Sequence, residues 1–288
     1  MALPTPWRAV PGWYSGGAEL SDLVGVLAHP LQYRSLIQIL TRREITGRYR
    51  GSLFGSLWSL LTPLLMLAVY TLVFGVVLAT RWPGGHDEGI GMVALRLLAG
   101  TLLHGLLSES LSRAPVLVIS QPNYVNKVVF PLEVLGWVNI LSSLFHMSIA
   151  LVLLMVVNGM WGSGFAWAQL AVPLVVLPYA VMMLGLTWLF AAFGVYVRDL
   201  AQLVGPLIMM TMFLGPIFFP RSAMPVALQP WLALNPITIP IEQLRAAVFE
   251  GRWPDWAGLL EYSLVALLIY LCGLWVFASL KKGFADVI

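Results

Sequence analysis

Long apolar runs recur along the whole chain and alternate with short polar segments. Each run is about 20 residues long, enough to cross a hydrocarbon core of about 30 Å as a helix. We predict six spans, at 57–79, 92–112, 134–157, 170–197, 203–219 and 256–280. The fifth contains two Gly-Pro pairs, Gly205–Pro206 and Gly215–Pro216, which we expect to interrupt it. The pattern predicts an all-α polytopic membrane protein.

Residues 31–50 have helical periodicity but are too polar to span. Tyr33, Leu36, Ile37 and Leu40 fall on one face, and Arg42, Arg43, Thr46 and Arg50 fall on another. This pattern predicts an amphipathic interfacial helix along the inner membrane surface. The alternative is a simple positive anchor before the first span.

Residues 220–254 are too polar and too rich in proline to span, yet they stay apolar for a free loop. Backbone of this kind is tolerated near membrane depth where protein or a water-filled cavity covers it. We therefore predict short re-entrant helices on the outer side, with 241–249 as the better formed one.

Composition and charge agree with a membrane location. Hydrophobic residues make up 59% of the 288 residues and charged residues 10%, against about 25% charged in soluble domains. With the N-terminus inside, eleven Lys and Arg residues fall on the cytoplasmic side and five on the outer side. This asymmetry predicts that both termini are cytoplasmic, and it favours a topology signal over a nucleic-acid surface. Residues 1–30 lack the pattern of a cleaved signal, and we expect a cytoplasmic segment of unknown role.

Motifs for self-contained catalysis are absent from the sequence. A phosphate-binding loop needs Gly-Lys-Ser/Thr, and none of the three lysines follows a glycine. No zinc-protease motif, dinucleotide fingerprint or nucleophile elbow occurs, and the single cysteine, Cys272, sits in an apolar run. We expect no metal site and no cofactor in this chain.

Charged side chains within the second span need an explanation, because ionisable groups in a membrane are costly. Glu109 precedes Arg113 by four residues, the favourable order for an ion pair within one helix. We predict that these two residues neutralise each other. Arg96 is expected to mark where this span begins on the outer side.

A polar stripe follows one face of the third span. Its members are Asn139, Ser142, Ser143 and His146. Such a stripe either packs against other helices through hydrogen bonds or faces an aqueous path, and the sequence leaves both interpretations open.

Several segments in order resemble one family of transport proteins. The segments are RREITGRYRGSLFGSLWSLLTPLLMLAVYTLVFG (42–75), SESLSRAPVLVISQPNYVNKVVFPLEVL (108–135), VYVRDLAQLV (195–204), LNPIT with the following IEQLR (234–245), and FADVI (284–288). Together they resemble the permease subunit of ABC-2-type polysaccharide exporters, which move lipid-linked O-antigen, capsule or teichoic acid chains. The resemblance implies one transmembrane domain over 31–288.

The resemblance also implies partners and working parts. It implies a homodimer with two copies of a separate ATPase subunit, which would hold the ATP and Mg, and a channel lined by the first and fifth spans. Candidates for coupling to the ATPase are Arg42, Arg43, Arg48, Arg50, Pro122, Lys127, Arg198 and Asp199. Candidates for an outer gate in 220–254 are Asn235, Pro236, Glu242 and Arg245.

A polysaccharide channel should expose aromatic rings, because the C–H faces of sugars pack on them. The candidates are Tyr70 and Phe74 in the first span and Phe213, Phe218 and Phe219 in the fifth. The alternative for each ring is contact with lipid or with a neighbouring helix.

We therefore expect an export permease for a lipid-linked, O-antigen-like polysaccharide in the bacterial inner membrane. Its expected partners are a second copy, the ATPase subunits and membrane lipid, with no nucleic acid. The alternatives are an ABC-2-type exporter of a lipid or small hydrophobic compound, a proton-coupled secondary transporter, and a membrane-bound glycan enzyme.

Overall fold

The computed structural model describes residues 32–79, 82, 89–126 and 130–288. Every regular element in these ranges is helical. The predicted segment 1–30 and the coupling candidate Lys127 lie outside the described residues.

We number the α-helices of the described ranges in chain order. They are α1 (Arg34–Arg48), α2 (Trp58–Tyr70), α3 (Ile90–Arg113), α4 (Pro122–Asn126), α5 (Glu133–Trp161), α6 (Val172–Tyr196), α7 (Leu200–Phe213), α8 (Gln229–Ala233), α9 (Thr238–Phe249), α10 (Trp256–Leu280) and α11 (Phe284–Val287). A π-helical segment, Thr71–Val77, continues α2. Short 3₁₀ turns occupy Gly55–Leu57, Ala114–Val116, Trp167–Ala171, Arg221–Ala223 and Lys281–Gly283.

Five helical stretches of the described chain are long and apolar enough to cross a membrane. They are Gly55–Val77, Gly91–Val116, Glu133–Trp161, Trp167–Tyr196 and Trp256–Val287. They coincide with five of the predicted spans. The predicted span 203–219 is instead the shorter helix α7, with 14 residues, and at about 1.5 Å per residue it covers less than a hydrocarbon core. The predicted count of six spans is therefore not confirmed.

The two Gly-Pro pairs have different effects on α7. Gly205 and Pro206 lie inside the helix, and the predicted interruption there is wrong. A glycine before the proline removes the Cβ that the proline ring would otherwise crowd. The second pair, Gly215–Pro216, follows the last residue of α7, where the Pro216 nitrogen has no hydrogen to donate.

Successive spans run in opposite directions, so their connections lie at two ends of the bundle. At the basic end lie α1, the described residues of the loop between α3 and α5 (114–126 and 130–132, called the loop 114–132 below), and residues 281–288. At the opposite end, α9 packs against α3 and α6. Within the bundle α3 is the central span, 67% buried, whereas the first span is 11% buried.

The spans α6 and α10 approach each other closely. A Cβ built on Gly273 would lie 2.0 Å from the Gly185 carbonyl oxygen, and one on Gly185 would lie 2.5 Å from the Tyr270 Cα. Only glycine fits at both positions, and small residues of this kind let two membrane helices pack backbone to backbone. These two helices therefore form one tight unit.

The segment 31–50 contains the helix α1, and its position along the membrane surface stays a prediction. Ile37 is buried, whereas Arg42, Arg43, Thr46 and Arg50 are exposed. The helix contacts α5, so part of its apolar face packs on protein.

The polar stripe of α5 is a packing feature in its first half. Asn139, Ser142 and Ser143 are buried, and Asn139 Nδ2 donates to the Ser110 carbonyl oxygen of α3 at 3.0 Å. Ser143 Oγ donates to the Asn139 carbonyl oxygen of its own helix at 3.1 Å, and Ser142 Oγ is buried with no hydrogen-bond partner in the described chain. The interpretation of packing through hydrogen bonds is therefore confirmed for Asn139.

The segment 220–254 contains one well-packed helix and one exposed helix. The predicted helix 241–249 is present as the longer α9, whose residues Thr238, Ile241, Leu244 and Ala247 are fully buried. By contrast, Trp231 in α8 is 69% exposed.

Candidate functional site

Four of the five aromatic candidates form a continuous row. The ring centroids of Tyr70 and Phe74 are 6.3 Å apart, those of Phe74 and Phe218 are 6.0 Å apart, and those of Phe218 and Phe213 are 5.9 Å apart. The last two pairs are stacked. The fifth candidate, Phe219, is half-buried, and in the described chain its ring is not part of the row.

The row joins the first span to the turn that follows α7. Tyr70, Phe74 and Phe218 pack against a small cluster formed by Trp82 with two α3 residues. Phe213, at the other end of the row, is 58% exposed. The row thus has a supported end and an open end, and an open aromatic surface can pack on the apolar face of a ligand.

The first span changes its helical type at this row. Tyr70 is the last residue of α2 and Phe74 lies within the π-helical Thr71–Val77. Pro63 also lies inside α2. Short π-helical segments are rare and occur often at functional sites.

The guanidinium of Arg245 holds the opposite end of the bundle together. Its Nε and Nη2 donate to the Arg96 carbonyl oxygen at 3.1 and 2.8 Å, and Nη2 donates to the Ile217 carbonyl oxygen at 2.7 Å. Its Nη1 donates to the Pro216 carbonyl oxygen, and the group stacks over Trp82 at 4.6 Å. Burial lowers the pKa of Arg245 to about 9, which leaves it charged at neutral pH.

Arg96 lies inside α3, not at its start. Its side chain is buried, stacks over the Trp82 and Phe249 rings, and approaches the Glu250 carboxylate at 3.7 Å. The expectation that Arg96 marks the beginning of this span is wrong. The favourable ring faces and the nearby carboxylate explain why a charge is retained here.

The other gate candidates surround the same turn. Asn235 Nδ2 donates to the Thr211 carbonyl oxygen at 2.8 Å, and the Pro236 carbonyl oxygen accepts from the Tyr262 hydroxyl at 2.8 Å. Glu242 is half-buried on α9, and burial raises the pKa of its carboxyl. Asn235 and Arg245 thus join α9 and the residues before it to the end of α7 and its following turn, and Pro236 joins the segment before α9 to α10.

The charges at the basic end pair between helices. Arg48 of α1 forms an ion pair with Glu109 of α3, and Arg113 of α3 pairs with Glu44 of α1 at 2.7 Å. The predicted Glu109–Arg113 pair within α3 is wrong, because α1 supplies a closer partner to each residue. The sequence contains a pattern that indicates pairing between the two helices, because each carries a glutamate four residues before an arginine. When two such helices meet in opposite directions, each glutamate faces the other helix's arginine.

His146 of α5 completes this cluster. Its Nδ1 lies 3.2 Å from Nη1 of Arg48, and its ring lies against that of Tyr49 with centroids 5.7 Å apart. Because a guanidinium only donates hydrogen bonds, Nδ1 accepts here and the neutral ring carries its proton on Nε2. Arg48 therefore ties α1 to both α3 and α5.

The remaining coupling candidates are spread over the surface of the basic end. Arg42, Arg43 and Arg50 are exposed on α1 and just beyond it. Pro122 is exposed as the first residue of α4, and Arg198 and Asp199 are exposed in the turn between α6 and α7. The structure thus separates Arg48, which makes helix contacts, from four arginines that stay available at the surface.

Within the described residues, no group of three or more His, Cys, Asp or Glu side chains is placed to hold a metal ion. The clusters around Arg48 and Arg245 are ion pairs and carbonyl contacts, which fix helices relative to one another.

Comparison with known proteins gives a consistent family. The family model described as ABC-2 type transporter matches residues 35–249. The chain is 30% identical over 259 residues to the O-antigen export system permease protein RfbA of Myxococcus xanthus, covering 89% of this chain and 96% of the relative. It is 22% identical over 261 residues to a protein of the same name from Klebsiella pneumoniae, covering 88% of this chain and 95% of that relative.

Replacing Arg245 by lysine should lower the melting temperature of the detergent-solubilised protein by several degrees. A lysine ammonium lacks the planar fork that reaches three carbonyl groups at once, and each buried carbonyl left unpaired costs about 1–3 kcal/mol. The matched control is Arg252→Lys, since the Arg252 side chain is 73% exposed. Equal melting temperatures for the two variants would contradict the role given to Arg245.

Proposed function

The chain belongs to the ABC-2 type transporter family, and we propose that it is the permease subunit of a polysaccharide exporter. The polymer we propose is a lipid-linked, O-antigen-like chain that crosses the bacterial inner membrane. The observation that carries the proposal is the 30% identity over 89% of the chain to a protein named as an O-antigen export permease.

We propose that the working unit is a homodimer with two copies of a separate ATPase subunit. The sequence has no Gly-Lys-Ser/Thr loop to bind ATP phosphates, so the energy must come from a partner in an ATP-driven system. The large exposed apolar area of the first span, which is only 11% buried, supports contact with a second copy and with lipid. The excess of basic residues at the basic end supports a cytoplasmic position for that end.

We propose that the aromatic row lies along the polymer's path. Tyr70, Phe74, Phe218 and Phe213 come from the first span and from the region around the end of α7, the elements that would line the channel. Sugar rings can pack their C–H faces on such rings while their hydroxyls stay hydrated. Stacking of this kind tolerates many sugars, which suits passage of a repeating polymer better than tight binding of one unit.

We propose that α1 passes motion from the ATPase subunit to the channel. Its exposed arginines Arg42, Arg43 and Arg50 offer contacts for a partner. Its Arg48 reaches Glu109 of α3 and His146 of α5, so a push on α1 acts directly on two spans. The turn at Arg198 and Asp199 and the loop 114–132 are further contact points.

We propose that 220–254 closes the outer side of the channel as a pair of re-entrant helices. In this arrangement α9 is the fixed member, because Arg245 binds it to α3 and to the end of α7. The exposed α8 is the member with fewer restraints, and Trp231 on it lies free to contact lipid or polymer.

The function is tested by transport of a labelled lipid-linked polysaccharide in proteoliposomes that contain the permease and its ATPase subunit. We expect transport that requires ATP hydrolysis and continues when a protonophore removes the proton gradient. Transport that survives ATP depletion but stops with the protonophore would favour the secondary transporter. Movement of a lipid without its glycan would favour the lipid-exporting alternative.

The coupling role of Arg48 is tested by exchanging charges with Glu109. Arg48→Glu and Glu109→Arg alone should each lower export several-fold, because each places two like charges in contact. The double variant should recover most of the activity, since the pair is restored with reversed sign. The Arg48 and Glu109 side chains are 28% and 21% exposed, so the loss should stay moderate.

The control for this exchange is Arg42→Glu, which changes an exposed charge on the same helix. Glu109→Arg should not rescue Arg42→Glu. Normal export by a correctly inserted Arg48→Glu variant would remove Arg48 from the coupling path.

The channel role of the aromatic row is tested by Tyr70→Ala, Phe74→Ala and Phe218→Ala. Each variant should lower export several-fold at an equal amount of inserted protein, because the polymer loses a stacking surface. Trp275→Ala is the control, since Trp275 is a half-exposed aromatic on α10 away from the row. Unchanged transport in all three row variants would assign these rings to packing.

A further inference from the structure

Residues 281–288 contain the motif FADVI, whose role the proposed function leaves open. Phe284 is fully buried. Its ring lies edge-on to Phe277 of α10, with centroids 5.5 Å apart, and against Tyr196 of α6 at 6.0 Å. The segment is thus anchored in the tight unit formed by α6 and α10.

The turn that leads into this motif is equally closely fitted. The Tyr196 hydroxyl donates to the Leu280 carbonyl oxygen at 2.9 Å. A Cβ on Gly283 would lie 2.5 Å from the Tyr196 hydroxyl oxygen. The turn therefore lies directly against the Tyr196 side chain of α6.

Lys281 connects the same segment to the start of α5. Its Nζ lies 2.9 and 3.1 Å from the two carboxylate oxygens of Glu133, whose side chain is 4% exposed. The Glu133 carbonyl oxygen also accepts from Trp188 Nε1 at 3.1 Å. A buried carboxylate needs a compensating charge, and Lys281 supplies it.

The short helix α11 then contacts α4. In this part of the loop Tyr124 stacks on Phe130, with ring centroids 4.3 Å apart and planes 9° apart. Both rings are partly buried against the main core, as is Ile288. The loop 114–132 is thus held at α4 by α11 and at its end, through Glu133, by Lys281.

The beginning of the loop is fixed to α6 as well. A Cβ on Gly194 of α6 would lie 2.1 Å from the Pro115 carbonyl oxygen. Backbone contact at Pro115 and the contacts of residues 281–288 attach the loop to α6 and α10 along its described length.

We propose that residues 281–288 are a brace that positions the loop 114–132 for contact with the ATPase subunit, with Lys281 and Phe284 as its positioning residues. This inference rests on the proposed function for the identity of the partner. The placement of the loop by the brace is a property of this chain alone. Because the brace attaches α4 to α6 and α10, a force received at α4 acts directly on these two helices.

The test measures where the loop lies. A cysteine is placed at Asn123, an exposed residue of α4, in a Cys272→Ser background, and its labelling rate by a membrane-impermeant maleimide is followed in inside-out vesicles. Lys281→Met and Phe284→Ala should each change this rate several-fold. Lys281→Arg should keep the original rate, and the exchange of Lys281→Glu with Glu133→Lys should restore it.

Two controls distinguish a displaced loop from a general loss of structure in the protein. Asp286→Asn alters an exposed residue of the same segment and should leave the rate unchanged. A cysteine at Arg43, exposed on α1, should label equally in every variant. An unchanged rate at Asn123 in both Lys281→Met and Phe284→Ala would overturn the brace, as would equal changes at both labelled positions.

The same vesicles test the partner. Bound ATPase subunit should protect the cysteine at Asn123 in the original sequence, and this protection should fall several-fold in Lys281→Met. If labelling responds to Lys281→Met but the ATPase subunit protects nothing in the original sequence, the brace stands and the proposed docking of the ATPase fails. Full protection retained in Lys281→Met would overturn the brace as an aid to docking.

Discussion

The carbonyl groups in the turn that follows α7 need hydrogen-bond donors, and one guanidinium supplies two of them. Pro216 lies beyond Phe213, the last residue of α7, and its carbonyl oxygen and that of Ile217 both accept from Arg245. Unpaired carbonyl groups are costly in a membrane protein, so these donors stabilise the turn after this short helix. The same side chain binds the Arg96 carbonyl oxygen of α3. The position of α9 and the turn that carries Phe218 both depend on this one group.

Different kinds of contact hold the helices together at the two ends of the bundle. At the opposite end, buried hydrogen bonds fix α9 to α3 and α7. At the basic end, α1 reaches α3 and α5 through partly exposed charges, whereas the loop 114–132 reaches α6 and α10 through backbone contact, buried rings and a buried ion pair. Exposed ion pairs contribute little free energy, so α1 is the more easily moved of the two attachments.

The sequence predicts the spans well because an apolar run of about 20 residues needs no partner to be recognised. Four of the five aromatic candidates lie in one row, and their contact with a polymer stays a prediction. Prediction from the sequence fails where a residue's partner is distant in the chain. In the sequence, Glu109 and Arg113 form a plausible ion pair within one helix, whereas in the structure α1 supplies the partner of each. Arg96 is likewise interpreted from the sequence as the boundary of a span, whereas in the structure it stacks on the Trp82 and Phe249 rings. The turn after α7 likewise takes its hydrogen-bond donor from Arg245 of α9, which no local pattern reveals.

The cross-paired charges of α1 and α3 also fix the register of the contact. Glu44 faces Arg113 and Arg48 faces Glu109. If α1 slid along α3 by one helical turn in either direction, Arg48 would meet Arg113 or Glu44 would meet Glu109, and both encounters are repulsive. Sliding is therefore opposed on both sides, while tilting about the contact keeps both pairs intact. The contact between α1 and α3 thus permits α1 to tilt and opposes its sliding along α3.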